Sequence, residues 1–525
     1  MDELCRYLGS PNSKALLLLL AATVVAARFF LTKFTKKRWP VTVALVLLAS
    51  ATYLGTMHIP LTKFLTRGPW ATFHYFMGAK YFPEVGYYGL YRFVALADQE
   101  TQNNVLEKIP HVRHMETYKT MPRAQAIAIA ADERKQRFSD ARWKEFKSDW
   151  VAMSKRATQE RWFRYLNDRG FNPPPFWCTI PTWLAKYVQV QDNHTYMLVR
   201  NIDLGILIAS IILLALLAGL DSALIVFLFI ELCEYNGTHQ VGTYFQFVFL
   251  SMLIAAMAFY RSGRWKTAGG FFAASAMLRI FPTILMAGPC VAWLRDLVKT
   301  KKIPKKLTAL LVSFAIFSGL FIGIGLTQGK GPATTTEFLD NIFRHSGHQA
   351  FDFNKFGLKR TMGEKLLHPW KTPFNLEKRR NLFKKHIVLY WVLLLAMVGL
   401  PIAVIWRKID DDAWVIPMGI IFIFAGLTLS RYYYLALVVF LIPGKDRETS
   451  PLATICAAYI LALHSLFYLL PSKTNTIFGT PVAFAFVNYG YLIGFIALPL
   501  YLLVADVRKK KGMQKDLSLP SGSQK

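Results

Sequence analysis

Long apolar runs broken by short polar connections dominate the chain. Runs at 15–31, 41–57, 202–220, 222–235, 244–260, 267–278, 281–294, 308–326, 387–405, 413–429, 433–443, 452–470 and 482–505 carry almost no charge. A hydrocarbon core about 30 Å thick needs roughly 20 apolar residues per helix, a length these runs supply repeatedly. They are far too long for barrel strands, and backbone groups in lipid must bond within their own segment. The pattern predicts an all-α, polytopic transmembrane helical bundle of about 11–13 helices. Several runs are short, notably 222–235, the 267–294 pair and 433–443. Short or broken helices are tolerated where protein encloses them or where they line a cavity, so they mark places to look for a site.

Two long hydrophilic stretches interrupt this pattern, at 58–200 and 327–386. Within the first, Phe138, Trp143, Phe146 and Trp150 recur at helical spacing. They predict an amphipathic helix lying on the membrane or on the bundle.

Charge then sets the topology. Basic clusters sit between apolar runs at Lys33–Arg38, Arg261–Lys266, Arg295–Lys306, Arg407/Lys408 and Arg508–Lys515. Alternating sides at every helix places all of them in the cytoplasm, with the N-terminus outside and the C-terminus cytoplasmic. That solution needs a hairpin turning at Arg279–Pro282. It divides the chain into two N-terminal helices (1–57), a first outer loop (58–200) and a bundle containing the Arg279 hairpin (201–326). A second outer loop (327–386), a C-terminal bundle (387–507) and a basic disordered tail (508–525) complete it.

The chain has 525 residues, 54% hydrophobic and 14% aromatic, with a formal net charge of +30. That charge lies in loop clusters flanking apolar runs, so it reads as membrane topology and no nucleic-acid partner is expected. Five scattered cysteines form no CxxC pair, which implies neither a zinc site nor a disulfide framework. The first apolar run is followed by Arg28 and Lys33–Arg38 instead of a small-residue cleavage site, so it reads as a retained helix.

Four motifs carry candidate chemistry. Phe73–Tyr91 (FHYFMGAKYFPEVGYYGLY) alternates small, aromatic and ionisable residues directly after the second run. Ala268–Pro282 (AGGFFAASAMLRIFP) ends a small-residue helix on Arg279. An arginine there is costly within an apolar hairpin, and its guanidinium can grip a phosphate bidentately or pair internally. His345-Ser-Gly-His348 precedes Asp352-Phe-Asn354-Lys-Phe-Gly357-Leu358. The two histidines have metal-ligand spacing without an evident third ligand, so hydrogen bonding is the expectation and no metal is assigned. Asp168–Trp177 (DRGFNPPPFW) reads as a rigid structural corner.

These segments resemble the GT-C superfamily, multi-spanning glycosyltransferases that use polyprenyl-phosphate sugars, and within it the bacterial mannosyl- and arabinofuranosyltransferase-type branch. The first motif is similar to that family's first outer loop, the second to its small-residue helix ending in a basic residue before proline, the third to its "H … N-x-x-GL" segment. The resemblance implies transfer of a sugar to a glycan or lipid acceptor on the outer side, without a cofactor, in the bacterial inner membrane. It implies Glu84, with His74 as second choice, as the base, and Arg279, Lys80 and Arg360 as donor phosphate ligands. Tyr87, His345, His348, Asn354 and Tyr432 become substrate contacts. One departure stands out: the family's early acidic residue is replaced here by Trp70-Ala-Thr-Phe-His74, leaving Glu84, Asp98 or His74 for its role. A transporter or flippase of a lipid-linked or polar substrate, and a non-catalytic assembly protein of the same fold, are the alternatives.

Overall fold

The computed structural model describes residues 2–35, 39–58, 69–233, 243–352, 354–365, 375–409, 413–442, 451–470 and 481–517. Helices dominate them. Extended pairing is confined to two short antiparallel ladders, His111–Arg113 with Thr120–Pro122 and Lys355–Phe356 with Leu429–Ser430.

Helix forms at every predicted apolar run. Fewer of these helices than predicted have the length and composition of spans, however. Among the described residues seven helices are long and apolar enough to cross a membrane, or eight if the bent pair Asp2–Leu8 and Pro11–Arg28 counts as one span. The chain is thus a multi-pass membrane protein with several sub-length helices. Val248–Arg261 and Trp265–Leu278 have 14 residues each and Met418–Gly426 has 9. At about 1.5 Å per residue these fall well short of the hydrocarbon thickness. Their side chains explain the difference: Leu250, Leu253, Ile254, Ala256 and Met257 are fully enclosed by protein. Protein neighbours replace lipid around the short helices. The long helices instead show lipid-type faces, such as Val388 and Leu395 on Ile387–Trp406.

The segment 69–192 is a folded helical unit with its own aromatic core. Phe138, Trp143, Phe146 and Trp150 do sit at helical spacing, most of them on Asp140–Ser154, but all are buried within that core. The amphipathic helix expected on the membrane or on the bundle thus buries its apolar stripe within this unit's own core. The first part of the expected disordered tail (508–525) is helical instead, since the last helix runs through Pro481–Leu517, and residues 518–525 lie outside the described residues. Lysine, glutamine and methionine after Asp506 are good helix formers and extend it.

The second loop contributes the helix Pro332–Gln349, the strand Lys355–Phe356 and the helices Leu358–Met362 and Leu376–Lys385. The strand pairs where the helix Met418–Gly426 ends, with Lys355 opposite Ser430. Asn488 from the last helix clamps it: Asn488 Nδ2 donates to the Lys355 carbonyl at 3.0 Å, and the Gly357 amide donates to Asn488 Oδ1 at 3.3 Å. Gly357 has φ +145°, and a β-carbon there would overlap the Leu427 carbonyl oxygen. We expect Gly357→Ala to cost about 1–3 kcal/mol from the backbone conformation alone, and more from the overlap. Heating the detergent-solubilised protein and following its monodisperse fraction tests this; an unchanged midpoint would refute it.

Candidate anion-binding site

Arg279 ends the helix Trp265–Leu278 in an extended conformation, and a 3₁₀ turn at Phe281–Met286 follows, started by Pro282. The break falls where the sequence placed it, because Pro282 cannot continue an α-helix. The guanidinium is 5% exposed. One of its terminal nitrogens donates to Tyr75 Oη at 3.0 Å, and the group lies 5.3 Å from that ring's centre. Its Nε is buried and bonded to nothing among the described residues. The groups that act on its charge are Tyr75, Tyr433 and Tyr432, with no carboxylate among them. A buried guanidinium normally has a carboxylate; here aromatic rings stand in its place.

Those rings come from non-α segments. Tyr75 lies on a π-helical stretch, Thr72–Met77, and Tyr432 and Tyr433 on a 3₁₀ stretch, Arg431–Leu437. Tyr433 packs against Phe281 at 4.5 Å and Phe249 at 5.7 Å. Four chain segments thus break or change helical pitch around one cation, a pattern frequent at functional sites.

Further positive charge flanks it. The half-buried His345 imidazole is held down to about 3 by burial, with help from Lys355, Arg169 and Arg279. It is a neutral hydrogen-bonding group at pH 7. Lys355 is 4% exposed and donates to Ser430 Oγ at 2.9 Å. Burial chiefly, and Arg169 after it, pull the Lys355 ammonium down to about 8, against the pull of Asp352 and Asp168. Arg169 pairs with Asp352 at 3.0 Å. Arg169 and Lys355 both lie within reach of Asp352, whereas among the described residues no carboxylate pairs with the buried Arg279.

The second carboxylate, Asp168, accepts from Trp70 Nε1 at 2.7 Å. Trp70 stands 6.4 Å from Tyr75, the ring that carries Arg279. His74 is fully buried beside them. Its Nδ1 donates to the Trp70 carbonyl at 2.8 Å and its Nε2 accepts from Tyr91 Oη at 2.7 Å. Burial holds its pKa below the usual histidine range. Both nitrogens are engaged, so His74 supports Trp70 and has no lone pair to offer a substrate.

The predicted site residues therefore divide. Arg279, Tyr432 and His345 come together. Asn354 joins through its backbone, its carbonyl accepting from the Arg431 amide at 3.1 Å, next to Lys355. The side chain of His348 lies outside the described residues. Glu84, Lys80, Arg360 and Tyr87 lie in other contacts. Glu84 pairs with Arg142 Nε at 2.6 Å, so its carboxylate is already occupied. Lys80 is buried against Asp149 at 2.7 Å and Glu145 at 2.8 Å. Arg360 forms a buried ion pair with Glu364. Tyr87 Oη donates to the Pro173 carbonyl at 2.8 Å. Asp98 is filled by Trp150 Nε1 and the Leu106 amide. Each of these polar groups already has an internal partner, which is why it can be buried.

Sequence reasoning missed Asp168, Arg169, Lys355, Tyr75 and Tyr433. A Gly/Pro-rich corner and a lysine in a polar loop carry no marker of burial. Among the described residues no group of three His, Cys, Asp or Glu side chains is placed to hold a metal ion. No protein-family model, curated protein or solved structure matches this chain.

Proposed function

We propose that the protein is an integral membrane glycosyltransferase. It moves a sugar from a polyprenyl-phosphate donor to a hydroxyl acceptor on the outer side of the membrane. The observation that carries this reading is Arg279, a buried guanidinium with aromatic walls and no carboxylate partner among the described residues. Such a group is unfavourable until an anion completes it. Its place at a helix break beside apolar helices suits a phosphate on a lipid tail better than a soluble anion.

In this mechanism Arg279 and Lys355 hold the donor phosphate and take up the charge that develops as it leaves. Asp168 accepts the proton of the acceptor hydroxyl. The acceptor oxygen then bonds to the anomeric carbon, the bond from that carbon to the phosphate oxygen breaks, and its electron pair stays on the phosphate. Asp168 takes this role over Glu84 because a neutral indole N–H holds it, whereas an arginine holds Glu84. The test uses protein in lipid nanodiscs. Farnesyl phosphate should bind at least tenfold more tightly than farnesol, and a panel of polyprenyl-phosphate hexoses and pentoses should yield free polyprenyl phosphate in the presence of acceptor. Equal binding of phosphate and alcohol would overturn the phosphate reading. Movement of intact donor across the bilayer without sugar release would favour a flippase.

Lys355 adds a pH signature. Its ammonium is charged below about 8 and neutral above it. Phosphate binding favours the charged form, so affinity for farnesyl phosphate should hold steady from pH 7 to 8. It should then fall by up to about tenfold per pH unit above that, as expected for linkage to one proton. Lys355→Met should bind weakly and lose the pH dependence. A flat profile in the unaltered protein would show that Lys355 does not face the phosphate.

A further inference from the structure

Beyond the proposed donor site, a second set of cations stands near Asp168 and His345. The hairpin His111–Arg113/Thr120–Pro122 carries Tyr118 at its tip, with φ +57°, a conformation uncommon for an aromatic residue. Tyr118 Oη donates to Asn341 Oδ1 at 2.7 Å and lies 3.4 Å from His345 Nδ1, which joins the hairpin to the helix Pro332–Gln349. Three guanidinium groups gather around this tyrosine. Arg169 and Arg344 both act on its hydroxyl, and Arg113 donates to its carbonyl. Arg169 has Asp352 as counter-ion. Arg113 donates to the carbonyls of Asn167 and Tyr118, and among the described residues it forms no contact ion pair. Arg344 bonds the Tyr88 hydroxyl, while its Nη1 is buried and has no hydrogen-bond partner among the described residues.

Tyr118 thus has Arg113 at its backbone end and Arg344 at its hydroxyl end, and the orphaned nitrogen of Arg344 leaves a donor for an external acceptor. Neutral hydroxyls satisfy such donors poorly; a carboxylate or phosphate satisfies two of them at once. Asp168, the proposed base, acts on both Tyr118 and Arg113. We infer that the acceptor is an anionic glycan, and that Arg113 and Arg344 bind an acidic group next to the hydroxyl that receives the sugar. This rests on the transferase reading and names its acceptor class. The two arginines set specificity and take no part in bond exchange.

The experiment measures binding to the full chain in nanodiscs at low salt by calorimetry. The probes are tetragalacturonate, maltotetraose and maltotetraose carrying a 6-phosphate, with farnesyl phosphate reporting the donor site. At least one anionic saccharide should bind tenfold or more tightly than maltotetraose, and the preferred anion identifies carboxylate or phosphate. Arg344→Gln and Arg113→Gln should each reduce that preference at least fivefold while leaving farnesyl phosphate affinity within twofold. Equal binding of all three saccharides, or a preference intact in both variants, overturns the inference. No saccharide binding with normal farnesyl phosphate binding overturns it as well and leaves the donor site standing. Failure of farnesyl phosphate alone removes the donor reading instead.

Discussion

Arg279→Met should abolish sugar transfer, lowering turnover by about 10²–10³ or more, as when an oxyanion-stabilising donor is lost. The same substitution should leave the protein folded and raise its unfolding midpoint in the absence of donor. The two effects share one cause. The guanidinium is buried, its Nε has no hydrogen-bond partner among the described residues, and tyrosines, not carboxylates, act on its charge. Methionine fills similar volume without that desolvation penalty. Sites that stabilise a transition state are often poorly stable when empty. Arg279→Lys should recover little activity, because a point charge cannot reproduce a planar fork between Tyr75 and a phosphate. Turnover and thermal midpoint measured on the same preparation decide the matter. A methionine variant that is active, or one that is inactive because it is destabilised, would assign Arg279 a structural role.

Arg279 was legible in the sequence because charge is rare inside an apolar run, and Pro282 marked the break beside it. The helices were legible for the same reason: lipid imposes a composition that repeats along the chain. Their number was not, because an apolar helix enclosed by protein reads like one enclosed by lipid. Only the three-dimensional packing separates Val248–Arg261 from Ile387–Trp406. The partners of ionisable groups were hidden by distance along the chain. Glu84 meets Arg142 and Lys80 meets Asp149, pairs 58 and 69 residues apart. Arg360 and Glu364, four apart, form a pair that helical spacing does announce. Lys355 was hidden differently. A lysine in a polar loop is ordinarily solvated, and only the ladder with Leu429–Ser430 and the Asn488 clamp bury it.

Asp168→Asn should reduce turnover by about 10²–10⁴, the usual contribution of a positioned general base. It should change donor binding little. The carboxylate is held by Trp70, which is in turn fixed by His74, so the side chain is oriented before any substrate arrives. Asparagine can still accept from the indole through its amide oxygen, so the corner stays intact and only proton acceptance is lost. Farnesyl phosphate affinity should remain within about threefold, since Arg279 and Lys355 carry that interaction. Glu84→Gln is the matched control. It removes an ion pair with Arg142 and should cost stability with less than about tenfold loss of turnover, because that pair is more than one-tenth exposed on both sides. Measured side by side, the two variants choose between the carboxylate the family resemblance implies and the one the geometry supports. A large loss in Glu84→Gln with little in Asp168→Asn would return the base to Glu84 and require Arg142 to release it on substrate binding. The reverse result places proton transfer at the corner formed by Asp168 and Trp70.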